Sequence, residues 1–231
     1  MALYDRDYAN ESLQTSEVSA KTALALFIKK TYQLFAASLL AGSVGAYVGL
    51  GVAYMFTLQF YIGCAVVYFI LLFGLYAAKK INGLNYVLLF AFTFLGGFLL
   101  TPLLSYFLQT PAGAAIVINA FVLTTVAFGG LSIFAMNTKK NFSSLGKFLF
   151  ISLIVLIVAS IINIFTGSSI LYTAISAAGA ILFSIYILYD TQNIIKGAYG
   201  TPIEGAIALY LDFLNLFIFI LRLLGIFGSD D

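Results

Sequence analysis

Seven apolar stretches constrain what this chain can fold into more than any other feature. A helix of about 20 residues crosses roughly 30 Å of hydrocarbon, and each stretch is close to that length. Of the 231 residues, 62% are hydrophobic and 9% are charged, whereas a soluble domain carries about 25% charged residues. We therefore predict an all-α integral membrane protein with seven transmembrane helices, at approximately Thr31–Leu50, Phe56–Ala78, Leu84–Leu108, Ala112–Met136, Phe148–Phe165, Ser169–Tyr189 and Gly205–Phe227.

Basic residues lie on one side of the predicted membrane. Ten lysines and arginines precede the first span or fall in the connectors after spans two, four and six, and none falls in the other three connectors. This asymmetry predicts a cytoplasmic N-terminus. We assign residues 1–22 to a polar cytoplasmic N-terminal tail, 23–228 to a seven-helix transmembrane domain and 229–231 to a short acidic C-terminal tail.

Several residue types are absent or rare, and their absence excludes classes of function. With no histidine, the chain cannot form a Ser-His-Asp triad or a histidine-ligated zinc site. The single cysteine, Cys64, has no internal disulfide partner, and the net charge of +2 is too small to suggest nucleic-acid binding. We predict a non-enzyme without a bound cofactor. A carboxylate-based intramembrane protease would also need a GxGD motif, which is missing.

Two aspartates stand out in the last two spans. Asp190 lies where the sixth apolar run ends, and Asp212 lies inside the seventh. An acid within a membrane helix is costly unless it is paired or wetted, so both are candidate functional residues. Asn215 follows Asp212 by three residues and so shares its helix face. Lys79, at the cytoplasmic end of span two, is the nearest cationic candidate for either acid.

The residues alone leave three interpretations of these acids open. Close carboxylates in a poorly hydrated place share a proton, which would make the two a proton sensor. Their oxygens also suit a hard cation such as Ca²⁺, although two carboxylates and an amide fall short of a full shell and favour a transit site. Alternatively, Asp190 caps a helix end in water and Asp212 pairs with a lysine.

Small residues predict where helices approach closely. Gly45 and Gly49 form a GxxxG pair in span one, and glycine pairs interrupt span three at residues 96–97 and span four at residues 129–130. Pro102 removes a backbone donor within span three and predicts a kink there.

The blocks SIYILYDTQNIIKG and IALYLDFLNLFIFILRLLG resemble the C-terminal signature of the Bax inhibitor-1 family, also called the transmembrane Bax inhibitor motif family. The resemblance extends over all seven spans and implies six helices surrounding a central seventh. It implies a pH-sensitive calcium leak channel in which Asp190 and Asp212 form the sensor pair. Some bacterial members carry an arginine that latches onto the first aspartate, and Lys79 occupies that position here.

The resemblance also supplies an alternative function. Some bacterial relatives modulate a membrane-bound AAA protease and eukaryotic ones influence cell death, so the chain would regulate such a partner without transporting ions. Together with the short tails, it favours the bacterial inner membrane. The expected partners are the lipid bilayer, Ca²⁺ and H⁺, with the protease in the alternative.

Overall fold

Helices make up nearly all of the chain that the structure describes. The computed structural model describes the backbone of residues 4–227 and the side chains of residues 18–226, and within this part there is no strand. The helices are α1 Tyr4–Gly51, α2 Leu58–Ala78, α3 Leu84–Phe98, α4 Thr101–Leu108, α5 Gly113–Asn137, α6 Gly146–Thr166, α7 Ser169–Ile195 and α8 Pro202–Phe227. Seven stretches in the described range are long and apolar enough to cross a membrane, with α3 and α4 together forming the third. The prediction of an all-α protein with seven spans is confirmed.

The third span breaks close to the predicted kink. Helix α3 ends at Phe98 and α4 begins at Thr101, with Pro102 in the first turn of α4. Proline is tolerated there because the first helical N–H groups have no intrahelical partner. The Thr101 hydroxyl donates to the Phe98 carbonyl at 2.6 Å, which supplies a hydrogen bond to the end of α3.

Helix α8 lies at the centre of the bundle. Half of its most hydrophobic stretch is buried, the largest share of the seven spans. It packs directly on α1, α3, α5 and α7. Phe213 of α8 packs edge-on against Phe128 of α5, which stacks on Phe35 of α1 with ring centroids 4.7 Å apart. The central seventh span is therefore held by aromatic packing from both sides.

Helices α2 and α6 take outer positions. Helix α2 packs mainly on α3, and α6 packs mainly on α7. Neither makes extensive contact with α8, so one face of the central helix, carrying Ala208, Leu211 and Asn215, stays half-buried. The ring around α8 is consequently open between α2 and α6.

Three details of the sequence-based description change. Residues from Tyr4 onward belong to α1, so most of the predicted N-terminal tail is helical and continuous with the first span. Helix α7 runs to Ile195, six residues beyond the predicted end of span six. The acidic tail at 229–231 lies outside the described residues.

Close packing occurs at some of the predicted glycines and is absent at others. A Cβ at Gly45 would collide with the backbone carbonyl oxygen of Phe94, and one at Gly97 with that of Gly42, so α1 and α3 cross at backbone contact. A Cβ at Gly129 or Gly130 would meet nothing within 4 Å among the described atoms. The packing prediction is right for α1 and α3 and wrong for Gly129 and Gly130.

Candidate functional site

Asp190 is buried inside α7, where the sequence placed it at a helix end. It is 6% exposed, and the three polar residues that follow it are buried as well. The side chains of Thr191 and Gln192 have hydrogen-bond partners outside α7. The Gln192 amide donates to the Lys140 carbonyl at 2.7 Å and accepts from the Phe142 N–H at 2.6 Å, while Thr191 donates to Ser132 of α5. The connector between α5 and α6 is thus hydrogen-bonded to the last turns of α7.

Asp190 accepts hydrogen bonds from two nearby side chains. The Tyr199 hydroxyl, in the turn between α7 and α8, donates to Asp190 Oδ1 at 2.5 Å. The Asn193 side chain, one turn further along α7, is a second hydrogen-bonding partner. Asp190 is therefore oriented by its own helix and by the turn that follows.

The structure brings Asp212 and Asp190 together. Asp212 is 3% exposed on the central helix α8, and its carboxyl group is within hydrogen-bonding contact of the Asp190 carboxyl. Ionised carboxyl groups only accept hydrogen bonds, so this contact is a bond only when one of the two carries a proton. Asp212 Oδ2 is buried and has no donor among the described residues. A proton shared by the pair would account for both observations.

A cavity of about 570 Å³ opens onto the two carboxyl groups. Its walls come from α2, α6, α7, α8 and the turn that carries Tyr199, and most of the lining is apolar. Asp190, Asp212, Asn215, Ser160 and three tyrosines supply its polar groups. The cavity lies where the ring of helices is open, beside the half-buried face of α8.

The ionisable side chains around the Asp190–Asp212 pair are mostly tyrosines. Those that interact with one or both carboxyl groups are Tyr76 of α2, Tyr186 of α7 and Tyr199, with Tyr189 of α7 beside them. The lining residues of α6 include no titratable side chain. Within the described residues, no lysine or arginine contacts either carboxyl group. The pair therefore has hydroxyl and amide partners but no positive one.

The Tyr199 phenol remains a hydrogen-bond donor over the physiological pH range. Burial raises the pKa of Tyr199 well above its usual value, and the neighbouring Asp190 and Asp212 carboxylates raise it further. Because the folded-state pKa exceeds the value in the unfolded chain, the hydroxyl stays protonated below about pH 10, the ordinary tyrosine pKa. Any response of the site at neutral pH must come from the carboxyl groups.

Lys79 does not reach either aspartate in this structure. Its Nζ lies 2.5 Å from Glu204 Oε1, and the Glu204 side chain is 10% exposed. The expected contact with Asp190 is thus replaced by an ion pair between the end of α2 and the first turn of α8. Tyr76 of α2 interacts electrostatically with both Lys79 and Asp190.

Glu204 is the residue that sequence reasoning missed. The Thr201 N–H donates to Glu204 Oε2 at 2.9 Å, and the Glu204 N–H points back at the Thr201 hydroxyl at 3.4 Å. This reciprocal arrangement is a capping box, with Pro202 at the first helical position. The sequence TPIE at residues 201–204 carries that signature and could have identified both the start of α8 and the buried acid.

Asn215 lines the cavity, but its side-chain amide already makes one hydrogen bond within α8. Its Nδ2 donates to the Leu211 carbonyl one turn back at 2.7 Å. The amide oxygen and the second Nδ2 proton are left to interact in the cavity alongside Asp212. Among the described residues, no group of three or more histidine, cysteine or acidic side chains converges, so the site cannot enclose a metal ion with protein carboxylates alone.

Comparison with known proteins identifies the family. The family model described as inhibitor of apoptosis-promoting Bax1 matches residues 24–229, which include all of the site residues above. The chain belongs to the Bax inhibitor-1 family. Among similar proteins is Bax inhibitor 1 of Schizosaccharomyces pombe, 34% identical over 220 residues that cover 92% of this chain and 80% of the yeast protein.

This Bax inhibitor-1 family member is also similar to bacterial proteins. An uncharacterized protein of Campylobacter jejuni is 56% identical over 232 residues, covering 99% of this chain and all of that protein. An uncharacterized membrane protein of Vibrio cholerae is 35% identical over 207 residues, covering 88% of this chain and 91% of its own length. The family resemblance inferred from the last two spans is confirmed.

Proposed function

We propose that this Bax inhibitor-1 family member is a pH-sensitive cation leak in which Asp190 and Asp212 control passage. One observation carries the proposal. Two buried carboxyl groups on the neighbouring helices α7 and α8 touch each other, and no positive side chain among the described residues offsets them. Such an arrangement is costly as a purely structural feature, because an unpaired buried charge destabilises a fold.

The chemistry of the contact supports proton control. With one shared proton, the two carboxyl groups form a hydrogen bond that ties α7 to α8 at this depth. Without it, two negative charges face each other in a poorly hydrated site and repel. Loss of the proton would therefore favour separation of the two groups, entry of a cation, or both.

The oxygen ligands available at the site support passage of a cation more than its tight binding. Ca²⁺ takes six to eight oxygen ligands, and the site offers the two carboxyl groups and the Asn215 amide oxygen. Water would have to supply the rest of the shell, so a bound ion would exchange readily. We propose Ca²⁺, as implied by the family resemblance, as the physiological ion.

Cation flux into proteoliposomes over a pH series tests the proposal. The unmodified protein should show flux that changes with pH, and Asp190→Asn and Asp212→Asn should each flatten that response. Glu204→Gln is the matched control, because it replaces another buried carboxyl group that lies outside the pair and should leave the pH response in place. Unchanged pH profiles in both aspartate variants would overturn the proposal.

We further propose a bacterial inner-membrane location with the N-terminus in the cytoplasm, supported by the one-sided distribution of basic residues. This places the Tyr199 turn and the Lys79–Glu204 pair on the cytoplasmic side.

Regulation of a membrane-bound AAA protease stays the alternative function. Its support is the exposed surface of α1 at residues 18–23, N-terminal to the predicted first span at Thr31–Leu50, and deleting residues 1–22 should abolish it while flux persists.

A further inference from the structure

The cavity beside the carboxyl pair has one wall made of exposed apolar residues of the membrane-spanning helix α6. On its α6 wall, Ile157, Ile161 and Ile164 are all exposed, and Ile164 is 79% exposed. On the opposite wall lies the half-buried face of α8 that α2 and α6 leave uncovered. Exposed apolar residues on a spanning helix are suited to contact with lipid, which would give a molecule dissolved in the bilayer a lateral route into the cavity.

Two acidic side chains form part of the lining of the same cavity. Asp190 and Asp212 line it, Asp212 Oδ2 is buried without a donor among the described residues, and neither carboxyl group has a cationic partner there. A buried acid with an unused acceptor is stabilised most by a positively charged donor. The cavity therefore combines apolar walls suited to lipid contact with an acidic part of the lining that lacks a positive charge.

We propose that this cavity binds a single-chain amphiphile with an ammonium head, such as a long-chain alkylamine, with the head on the Asp190–Asp212 pair and the chain along α6. A neutral acyl chain would match the walls but leave the acids unpaired, whereas a bare divalent ion would match the acids but not the walls. The volume of about 570 Å³ lies within the range of small-molecule sites, roughly 300–1,000 Å³, and favours one alkyl chain over a two-chain phospholipid.

The site requires only the carboxyl pair and the lateral opening. It does not rest on ion passage, because an ammonium head could occupy the pair in a protein that conducts nothing. If the cation leak also operates, such an amphiphile would compete with ions for the same carboxyl groups and act as a blocker.

The chain has no tryptophan, which allows a single reporter to be introduced. Ile161→Trp places an indole in the cavity wall, and Ile162→Trp places one at nearly the same depth on a different face of α6, outside the cavity lining. Each variant is reconstituted in zwitterionic nanodiscs and titrated with bromododecylamine in its protonated, ammonium form, whose bromine quenches the indole. Bromododecanol, which has the same chain and no charge, is titrated in parallel.

We expect the ammonium probe to quench the cavity-wall indole of Ile161→Trp at lower concentration than the outer indole of Ile162→Trp, and bromododecanol to quench both equally. Adding Asp212→Asn to the Ile161→Trp variant should weaken ammonium quenching by at least about tenfold, because loss of one partner of a buried charge pair lowers affinity by that much or more. The comparison of the two probes on an intact carboxyl pair keeps the test valid if the aspartate variant does not fold.

Equal quenching of the two indoles by the ammonium probe, or quenching that is insensitive to its charge, would overturn the proposed ligand site. That outcome would leave the cation leak standing if flux still depended on pH. Conversely, selective quenching of the cavity-wall indole together with pH-independent flux would support the ligand site and overturn only the leak.

Discussion

The Nζ of Lys79 lies 2.5 Å from Oε1 of Glu204, and this ion pair joins the end of α2 to the first turn of α8. Because α2 packs mainly on α3, the pair is a direct link between this outer helix and the central one. It lies close to Tyr76, which lines the cavity beside the carboxyl pair.

Removing this ion pair should loosen the attachment of α2. Lys79→Met or Glu204→Gln is expected to cost about 1–2 kcal/mol, between the values for exposed and buried pairs, because Lys79 is 33% exposed and Glu204 is 10% exposed. Thermal unfolding in detergent measures the loss. The double variant should cost less than the sum of the two single variants if the groups act together.

Lys80→Met is the matched control for the ion pair, because Lys80 is the next residue and is exposed. It should leave the unfolding temperature unchanged. A full sum of the two single losses in the double variant would show that Lys79 and Glu204 act separately, and would contradict the link between α2 and α8.

Tyr199→Phe should shift the pH response of the leak without abolishing it. The Tyr199 hydroxyl donates to Asp190 Oδ1 at 2.5 Å and, given its raised pKa, continues to donate through neutral pH. This bond favours the ionised carboxylate, so its loss makes protonation easier and moves the midpoint of the flux profile to higher pH. The measurement is flux into proteoliposomes at closely spaced pH values.

Tyr76→Phe serves as the control for that shift. Tyr76 lines the same cavity, and its hydroxyl makes no hydrogen bond within the described residues. Its removal should leave the midpoint in place. A midpoint that moves to lower pH in Tyr199→Phe, or that moves equally in both variants, would mean that the Tyr199 hydrogen bond does not set the response.

Gly45→Ala and Gly130→Ala should have opposite effects on stability. The added methyl group at Gly45 would strike the backbone of Phe94 at the α1–α3 crossing, and such overpacking costs about 1–3 kcal/mol. At Gly130 the same group meets nothing within 4 Å, and alanine gains up to about 1 kcal/mol in helix propensity. Equal unfolding temperatures for the two variants would argue against the close α1–α3 contact.

The sequence predicted the number of spans, and most of their limits to within a few residues, because hydropathy is a property of consecutive residues. The end of α7 was predicted six residues early, since Thr191 and Gln192 are polar and their partners, Ser132 and the connector at residues 140–142, are distant in sequence. The partner of Lys79 was missed for the same reason. Contact between Asp190 and Asp212 could be proposed from the lengths of the two helices, but only packing shows that no lysine or arginine comes between them.

Asp190 and Asp212 are proposed to act as one unit, and the cation leak depends on that coupling more than on any other feature. Cation flux across a pH series, compared for Asp190→Asn, Asp212→Asn and the double variant, tests this directly. If the pair shares a proton, each single substitution removes the pH response as fully as the double substitution, because either amide replaces half of a coupled site. Partial losses in the single variants that add up in the double variant, or an intact response in any variant, would contradict the coupling.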